Sequence, residues 1–477
     1  MNGLTRNLCY VISVVFLLTV YGFAADAQYE QYNWNNLDDI LTQINEPEFR
    51  DQTYNILEFG AESNGSDNCT DAINKAIEKC SNNGGGIVLI PEGIFYTGPI
   101  HLKDNVNLYL KEGAVLKFST NHKDYLPLVL TRWEGVDCFN YSPLIYAYGS
   151  ENVAVTGEGT LDGQASVEHW WPWKGKKAYG WVEGMDSQNI DAGRDLLMEY
   201  ENKQIPLEER KMGEGHYLRP PFIQFYRCKN ILIEDISIEN APFWLIHPLL
   251  SENITIRNVH VNSMGPNNDG CDPESCKNVL IENCYFNTGD DCIAIKSGRN
   301  NDGRNWNIPS ENIVVRNCRM HNGHGGIVIG SEISGGCRNL YVYNCIMNSP
   351  ELDRAVRIKT NAQRGGIIEN IFVKDIEVGE VKEAVLKINC IYETKSEEGD
   401  FPPQIRNIHI SNVKSNKSKY PVHIVGFQNK NCIYDIQIFN SKFNGVEKDA
   451  VIRGVKNFNT KEFYINGELF KWSENTD

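Results

Sequence analysis

"KNILIEDISIENA" (Lys229–Ala241), "ENITIRNVHVNSM" (Glu252–Met264) and "KNVLIENCYFNTG" (Lys277–Gly289) are three copies of one phrase. Further copies carry Asn312, Asn339, Asn370 and Asn407, and a last one has Asp435 in the asparagine's place. Starting from Asn230, successive asparagines are 23, 25, 34, 27, 31 and 37 residues apart. Within each copy apolar and polar residues alternate, which is the period of a strand rather than a helix. Short strands recurring every 23 residues or more, joined by polar turns, predict an all-β solenoid, a single-stranded right-handed parallel β-helix. A β-propeller is the competing repeat architecture, but its blades need ~40 residues or more. Each coil should lie ~4.8 Å from the one beneath it. The recurrent asparagine should stack in a turn and bond backbone groups and its own copies.

Working outward, "DNVNLYLKEGAVLKF" from Asp104 and "ENVAVTGEGTLDGQ" from Glu151 read as earlier coils. "TDAINKAIEKCSNNGGG" (Thr70–Gly86) has helical apolar spacing and ends on glycines, as expected of a helix capping the open end of a solenoid. No coil phrase occurs from His169 to about Gly215. That insertion holds Trp170, Trp171, Trp173 and Trp181, which could stack on sugar rings or anchor the loop to the solenoid wall. Residues 28–50 read as an N-terminal arm and 51–470 as one β-helix domain, with the insertion at about 169–215. Residues 1–27 read as a secretory signal: Arg6, an apolar run from Leu8 to Phe23, then Ala25–Ala27 as a small-residue cleavage site. The expected product is an exported protein, periplasmic or extracellular, with no membrane attachment once the signal is removed.

A formal net charge of −16 argues against a nucleic-acid partner, but a local basic patch can still draw an acidic substrate into a cleft. Fourteen cysteines in an exported chain invite disulfides. Their placement points elsewhere. Cys284, Cys318 and Cys345 share one repeat position, and Cys228, Cys276 and Cys337 share another. Stacked, buried free thiols fit that pattern better. Metal-ligand spacings of His and Cys are absent, so neither a metal nor a cofactor is expected.

The chemistry-bearing residues fall where the coils begin. "PNNDGCDPES" contains Asp269 and Asp272, and "TGDDCIAIKSG" contains Asp290, Asp291 and Lys296. "GHGGIVIGSE" contains His324, "DRAVRIKTN" contains Arg357 and Lys359, and "EAVLKINCIYE" ends near Tyr392. Asp269 and Asp290 are one minimal coil apart and should stack. Arg357 and Lys359, at i and i+2, should share a strand face. Taken singly, an Asp pair is an ordinary solvated turn and an Arg-x-Lys strand an ordinary edge. Their coincidence on successive coils points to catalysis. Crowded carboxylates split their pKa values, so that one holds a proton while others stay ionised. Glycoside hydrolysis needs that pairing of acid and base. An adjacent Arg and Lys suit a sugar carboxylate, and so a uronic-acid polymer.

At these residues the sequence resembles glycoside hydrolase family 28, the polygalacturonases. The family's four blocks appear in order as "NND" (Asn267–Asp269), "GDD" (Gly289–Asp291), "GHG" (Gly323–Gly325) and "RIK" (Arg357–Lys359), with Asn268 where the family has Thr. The resemblance implies a pectin-lyase-like β-helix that hydrolyses α-1,4-galacturonosyl bonds of polygalacturonate or pectic oligosaccharides with inversion. It implies Asp290 as general acid, Asp269 and Asp291 as the water-activating pair, and His324 as support for the acid. Arg357, Lys359 and Tyr392 would bind substrate, with Asp272 and Lys296 as further contacts. Long loops at 169–215 and 299–310 favour an exo-acting member, and a monomer is expected. Inversion implies an acid-to-base separation above ~6 Å. A rhamnogalacturonan or xylogalacturonan hydrolase of the same family and a non-catalytic glycan-binding solenoid are the alternatives.

Overall fold

The computed structural model describes residues 34–428 and 430–472. The expected signal segment, residues 1–27, lies outside them. The chain divides into a unit ending at Gln43, whose described part is the helix Asn36–Gln43, and a second unit beginning at Ile44. The second unit is the predicted right-handed parallel β-helix. Its largest sheet has 23 strands, and a second face is built from a four-stranded and a six-stranded sheet.

The recurrent asparagines are the spine of the solenoid. Each adopts a left-handed backbone, with φ of 55° at Asn230, 56° at Asn253 and 58° at Asn278. Asparagine tolerates this conformation better than most residues. Each side-chain amide N–H donates to the Oδ1 of the asparagine one coil earlier: Asn253 to Asn230 at 3.0 Å, Asn312 to Asn278 at 3.0 Å and Asn339 to Asn312 at 3.0 Å. The series starts at Asn105 and continues through Asn370 to Asn407. It skips one step where Asp435 supplies a carboxylate with no N–H to give, and resumes where Asn457 donates to Asp435 Oδ1 at 2.9 Å. At the skipped step the His409 ring bonds Asn407 Oδ1 instead, at 2.6 Å. The residue before each asparagine alternates in charge, Lys229, Glu252, Lys277, Glu311, Arg338, Glu369 and Arg406, and these sit in register on successive coils. Such exposed pairs stabilise by only ~0–1 kcal/mol each, but their alternation favours this register over one displaced by a coil.

The cysteines stack as expected. Thirteen are described, and all are buried and free. Cys318 lies between Cys284 and Cys345 in one column, and its thiol donates to the Arg316 carbonyl at 3.3 Å. Cys228, Cys276 and Cys337 share a column with Ser251 and Ser310, whose hydroxyls accept from the Cys228 and Cys276 amides. The predicted cap is the helix Thr70–Asn82, which buries Ala72, Ile73, Ala76, Ile77 and Cys80 on one side. It ends into Gly84 and Gly85, both at positive φ. Between Asp162 and Ile223, a stretch that contains the 169–215 segment, the chain forms short helices that include Arg194–Asn202. The segment read as a loop at 299–310 contains the helix Asn300–Trp306. Among the described residues, no helix is long and apolar enough to cross a membrane.

Candidate active site

The six-stranded sheet runs through Ile293–Ile295, Ile327–Ile329, Arg354–Lys359, Ala384–Asn389, Tyr420–Val425 and Val451–Arg453. Its inward column is Ile295, Ile329, Ile358, Ile388, Ile424 and Ile452, in register from coil to coil. A buried Ile stabilises by about 1.5–3 kcal/mol relative to exposure. Seating Ile358 inward forces Arg357 and Lys359 outward together. The acidic coil lies where the two sheets meet, joined to its neighbours by the isolated bridges Ile246↔Cys271, Leu249↔Glu274, Cys271↔Ile293 and Glu274↔Lys296. This stretch is flanked by Pro266 and Pro273, which have no N–H for a ladder.

The Cys271↔Ile293 bridge sets Asp269 opposite Asp291, with the Gly270 N–H bonding the Asp291 carbonyl at 2.9 Å. The expected backbone stacking of Asp269 on Asp290 is therefore off by one residue, because the coil is a residue longer than the 21-residue spacing. Asp290 occupies the bend before the strand. Its backbone carbonyl accepts from Thr288 Oγ1 at 2.8 Å, and its Oδ1 accepts the Asp291 N–H at 3.0 Å. One oxygen from each of Asp269, Asp290 and Asp291 lies within 4.8 Å of the other two. By this closest-oxygen measure the expected separation above ~6 Å is not met. Three acids this close could grip a cation, although Lys296, Lys359 and His324 already bring positive charge to them.

Asp269, Asp290, Lys296, His324, Arg357, Lys359 and Tyr392 all line one cleft of about 580 Å³. Asp272 and Asp291 do not reach its surface; both side chains are fully buried behind the floor. Asp291 Oδ2 accepts from Lys359 Nζ at 2.7 Å, and its Oδ1 is 3.5 Å from Arg357. The two cations expected to meet substrate are thus also the counter-ions of a buried acid. Tyr392 lies beneath both, its ring centre 5.3 Å from the Arg357 guanidinium and 5.5 Å from Lys359 Nζ. Lys296 Nζ is 3.4 Å from each of Asp269, Asp272 and Glu332, and 4.3 Å from the Trp244 ring centre. Apart from Lys296, neither carboxylate oxygen of Asp272 has a hydrogen-bonding partner.

These contacts divide the titrations. Burial, then repulsion from Asp290, pushes Asp269 up to about 7, against the pull of Lys296. Burial and the Asp269 charge also raise Asp272 well above the usual carboxylate range. Asp290 moves the other way. Burial opposes its charge, but the His324 hydrogen bond at 2.9 Å and the charges of His324, Lys359 and Lys296 more than offset that, and its pKa falls. Bonded to Asp290, His324 rises to about 9. Of the crowded set, Asp269 and Asp272 are pushed toward the protonated form and Asp290 away from it. In the free protein Asp290 and protonated His324 share one proton as an ion pair.

The rest of the cleft comes from segments whose chemistry no motif marked. Glu134 lies beside the turn of the antiparallel hairpin Val129–Asn140, and Lys174, Lys176 and Arg194 come from the insertion. Ion pairs tie these walls together: Arg194 to Glu134 at 2.8 Å, Arg299 to Glu332 at 3.0 Å and Arg210 to Asp302 at 2.6 Å. The tryptophans, for which stacking on sugar was one expectation, anchor the insertion instead. Trp170 and Trp173 pack edge to face with Tyr125, Tyr217 and each other. The Trp171 indole N–H bonds the Ala241 carbonyl at 2.9 Å, and that of Trp181 bonds Met185 at 2.8 Å. A composition signal marked the loop, while its functional side chains are ordinary lysines and arginines that carry no pattern.

Residues 209–462 match the model of glycosyl hydrolases family 28. Among solved structures, the chain is similar to a hyperthermoactive exopolygalacturonase from Thermotoga maritima, with 47% identity and a TM-score of 0.88 over 91% of this chain and 96% of that one. It is 27% identical to a "Probable polygalacturonase" of Vitis vinifera over 70% of this chain, a match that spans 62% of the relative's length. It is 25% identical to an exo-poly-alpha-D-galacturonosidase of Dickeya chrysanthemi, over 83% of this chain and 68% of that one.

Proposed function

Since this chain belongs to glycosyl hydrolases family 28 and is a glycoside hydrolase, we propose that it cleaves α-1,4-galacturonosyl linkages of polygalacturonate from a chain end, with inversion. The observation that carries this reading is the charge order of the cleft. A proton-sharing Asp290–His324 pair and a crowded carboxylate set lie beside two cations that can spare donors for a uronate.

In this reading Asp290 delivers the proton to the leaving oxygen. Substrate covering the cleft removes water from the Asp290–His324 ion pair, and a drier site favours the neutral form, with the proton on Asp290. His324 supplies that proton and holds the carboxyl in orientation. Asp269, which lines the cleft, holds and activates the water, and Asp291, opposite it in the coil register and buried behind the floor, supports it through its negative charge. Lys359 spends one of its three N–H donors on Asp291, and Arg357 approaches the same carboxylate with one terminus. The remaining donors are available to a sugar carboxylate. Asp272 and Lys296 set the charge of this group from behind. The exo assignment draws support from the ion-paired wall of hairpin, insertion and Arg299, and from the similar exopolygalacturonase. The same proposal takes residues 51–470 as the catalytic domain and residues 1–27 as a signal for export.

The 4.8 Å oxygen spacing favours a second reading, in which a carboxylate attacks the sugar and the configuration is retained. Proton NMR of the first-formed product decides between them: a β-anomer supports inversion and an α-anomer retention. The function itself is tested by products from polygalacturonic acid, wild type against Asp290→Asn. The wild type should release saturated monomer or dimer, with the variant down ~10²-fold or more. Intact polymer with wild type would instead support a glycan-binding solenoid. Cleavage only of rhamnose- or xylose-bearing pectin would move the substrate within the family.

A further inference from the structure

Two cations beside the Asp269 coil form no ion pair with an acid among the described residues. Lys174 Nζ, from the insertion, donates to Asn267 Oδ1 at 2.7 Å. Arg219, fully buried, donates to that same oxygen at 2.9 Å. Its other bonds go to the carbonyls of Pro242 and Pro266 and to Gln188 Oε1, and its Nε has no partner. Every acceptor in these bonds is neutral. Other cations around the cleft are paired with acids: Arg194 with Glu134, Arg299 with Glu332, Lys296 with three carboxylates and Lys359 with Asp291. Two positive charges thus converge on one neutral amide oxygen at the cleft wall, where Lys174, Gln188 and Asn267 are all surface-lining.

The titrations agree with this geometry. Burial lowers Lys174 to about 8, against the pull of Glu134 and Asp290 and with Arg219 adding to the fall. Burial lowers Arg219 to about 9. An anion entering beside Lys174 would reverse both penalties.

The position along the solenoid specifies the anion. The coil of Asn267 and Asp269 precedes that of Asp290, which precedes that of His324, which precedes that of Arg357 and Lys359. The two sets of cations bracket the acids across three coil steps, about 14 Å at ~4.8 Å per step. A single uronate cannot occupy both. We propose that Lys174, with Arg219 behind it, binds the carboxylate of the uronate on the far side of the scissile bond from Arg357 and Lys359. The loop that closes the cleft thereby also reads the terminal sugar's charge. This rests on the hydrolase reading above.

The test is steady-state kinetics of Lys174→Met and Lys174→Arg on two saturated galacturonate oligomers, one with a free terminal carboxylate and one methyl-esterified at the non-reducing unit. On the free acid, Lys174→Met should raise KM about tenfold or more, as expected for a lost charge-assisted bond, with kcat changed little and Lys174→Arg largely restored. On the ester, wild type and Lys174→Met should be equal. Wild-type affinity for the free acid should also weaken above pH ~8, and the variant should lose that dependence. An equal fall in kcat on both substrates would overturn the proposal, because it would mean that Lys174 only positions Asn267 and the Asp269 turn. A wild type inactive on both oligomers would sink the hydrolase reading instead.

Discussion

Replacing Lys296 with Met should move the acid limb of the pH–activity profile upward. Lys296 Nζ lies 3.4 Å from Asp269 Oδ2, and both groups are buried. At that distance the Coulomb attraction is about 1 kcal/mol in bulk water and about 5 kcal/mol at an effective dielectric of ~20. Removing it should therefore raise the Asp269 titration by about 1 to 3.5 pH units. If Asp269 must be ionised to activate water, the wild-type kcat/KM should rise through pH ~7, the value to which burial and Asp290 already push this group. It should fall above pH ~9 as the Asp290–His324 pair loses its shared proton. In Lys296→Met the lower limb should close on the upper one, leaving a narrow, low maximum. The assay is initial reducing-sugar release from polygalacturonate between pH 4 and 10, with folding checked by circular dichroism at each pH. Met keeps the volume and the contact with Trp244, so a folded variant is expected at low pH, where Asp269 and Asp272 can take up protons in place of the lost charge. A folded variant whose acid limb stays in place, or moves down, would refute Asp269 as the base and Lys296 as the group that tunes it.

Two further predictions concern the pair and the spine. His324 has a folded pKa raised above its ordinary value, so its stabilisation is fully present below pH ~6.5 and is lost as pH rises through about 9. The melting-temperature gap between wild type and His324→Asn should therefore shrink as pH is taken from 6 to 10; a constant gap would mean that the ion pair does not contribute. Asn312→Asp keeps a residue that tolerates φ 57° but removes the N–H given to Asn278, so urea unfolding should show a loss of about 1 kcal/mol. No change in the unfolding midpoint would mean that the asparagine ladder adds nothing beyond backbone geometry.

The coil was legible because one phrase repeats. Stacking identical units places identical residues together, so the Asn ladder, the thiol columns and the inward isoleucines follow from the repeat itself. Asp435 shows how literal this is: one atom's change from N–H to O breaks the ladder where the chain departs from the phrase. The site's acids, His324 and the Arg357–Lys359 pair were legible for the same reason, since they recur at coil starts. What the repeat left undetermined was register at the non-repeating turn. Counting 21 residues set Asp269 against Asp290, whereas the bridge sets it against Asp291, because a residue at a bend consumes chain length without advancing a strand.

The sequence by itself determined the solenoid, its cap, the place of the insertion and the identity of the charged groups on one face. Only the tertiary structure decided which acid holds the proton and which cations bond neutral acceptors. Those depend on distances of 3–5 Å between side chains from the hairpin, the insertion and the coils, far apart in the chain. Electrostatic energy at that range turns on ångströms and burial, and no local pattern encodes it. Asp290, read as the crowded acid, proves to be the one that His324 holds ionised, and Lys174, unremarkable in the sequence, is a half-buried cation whose hydrogen bond goes to the neutral Asn267 amide.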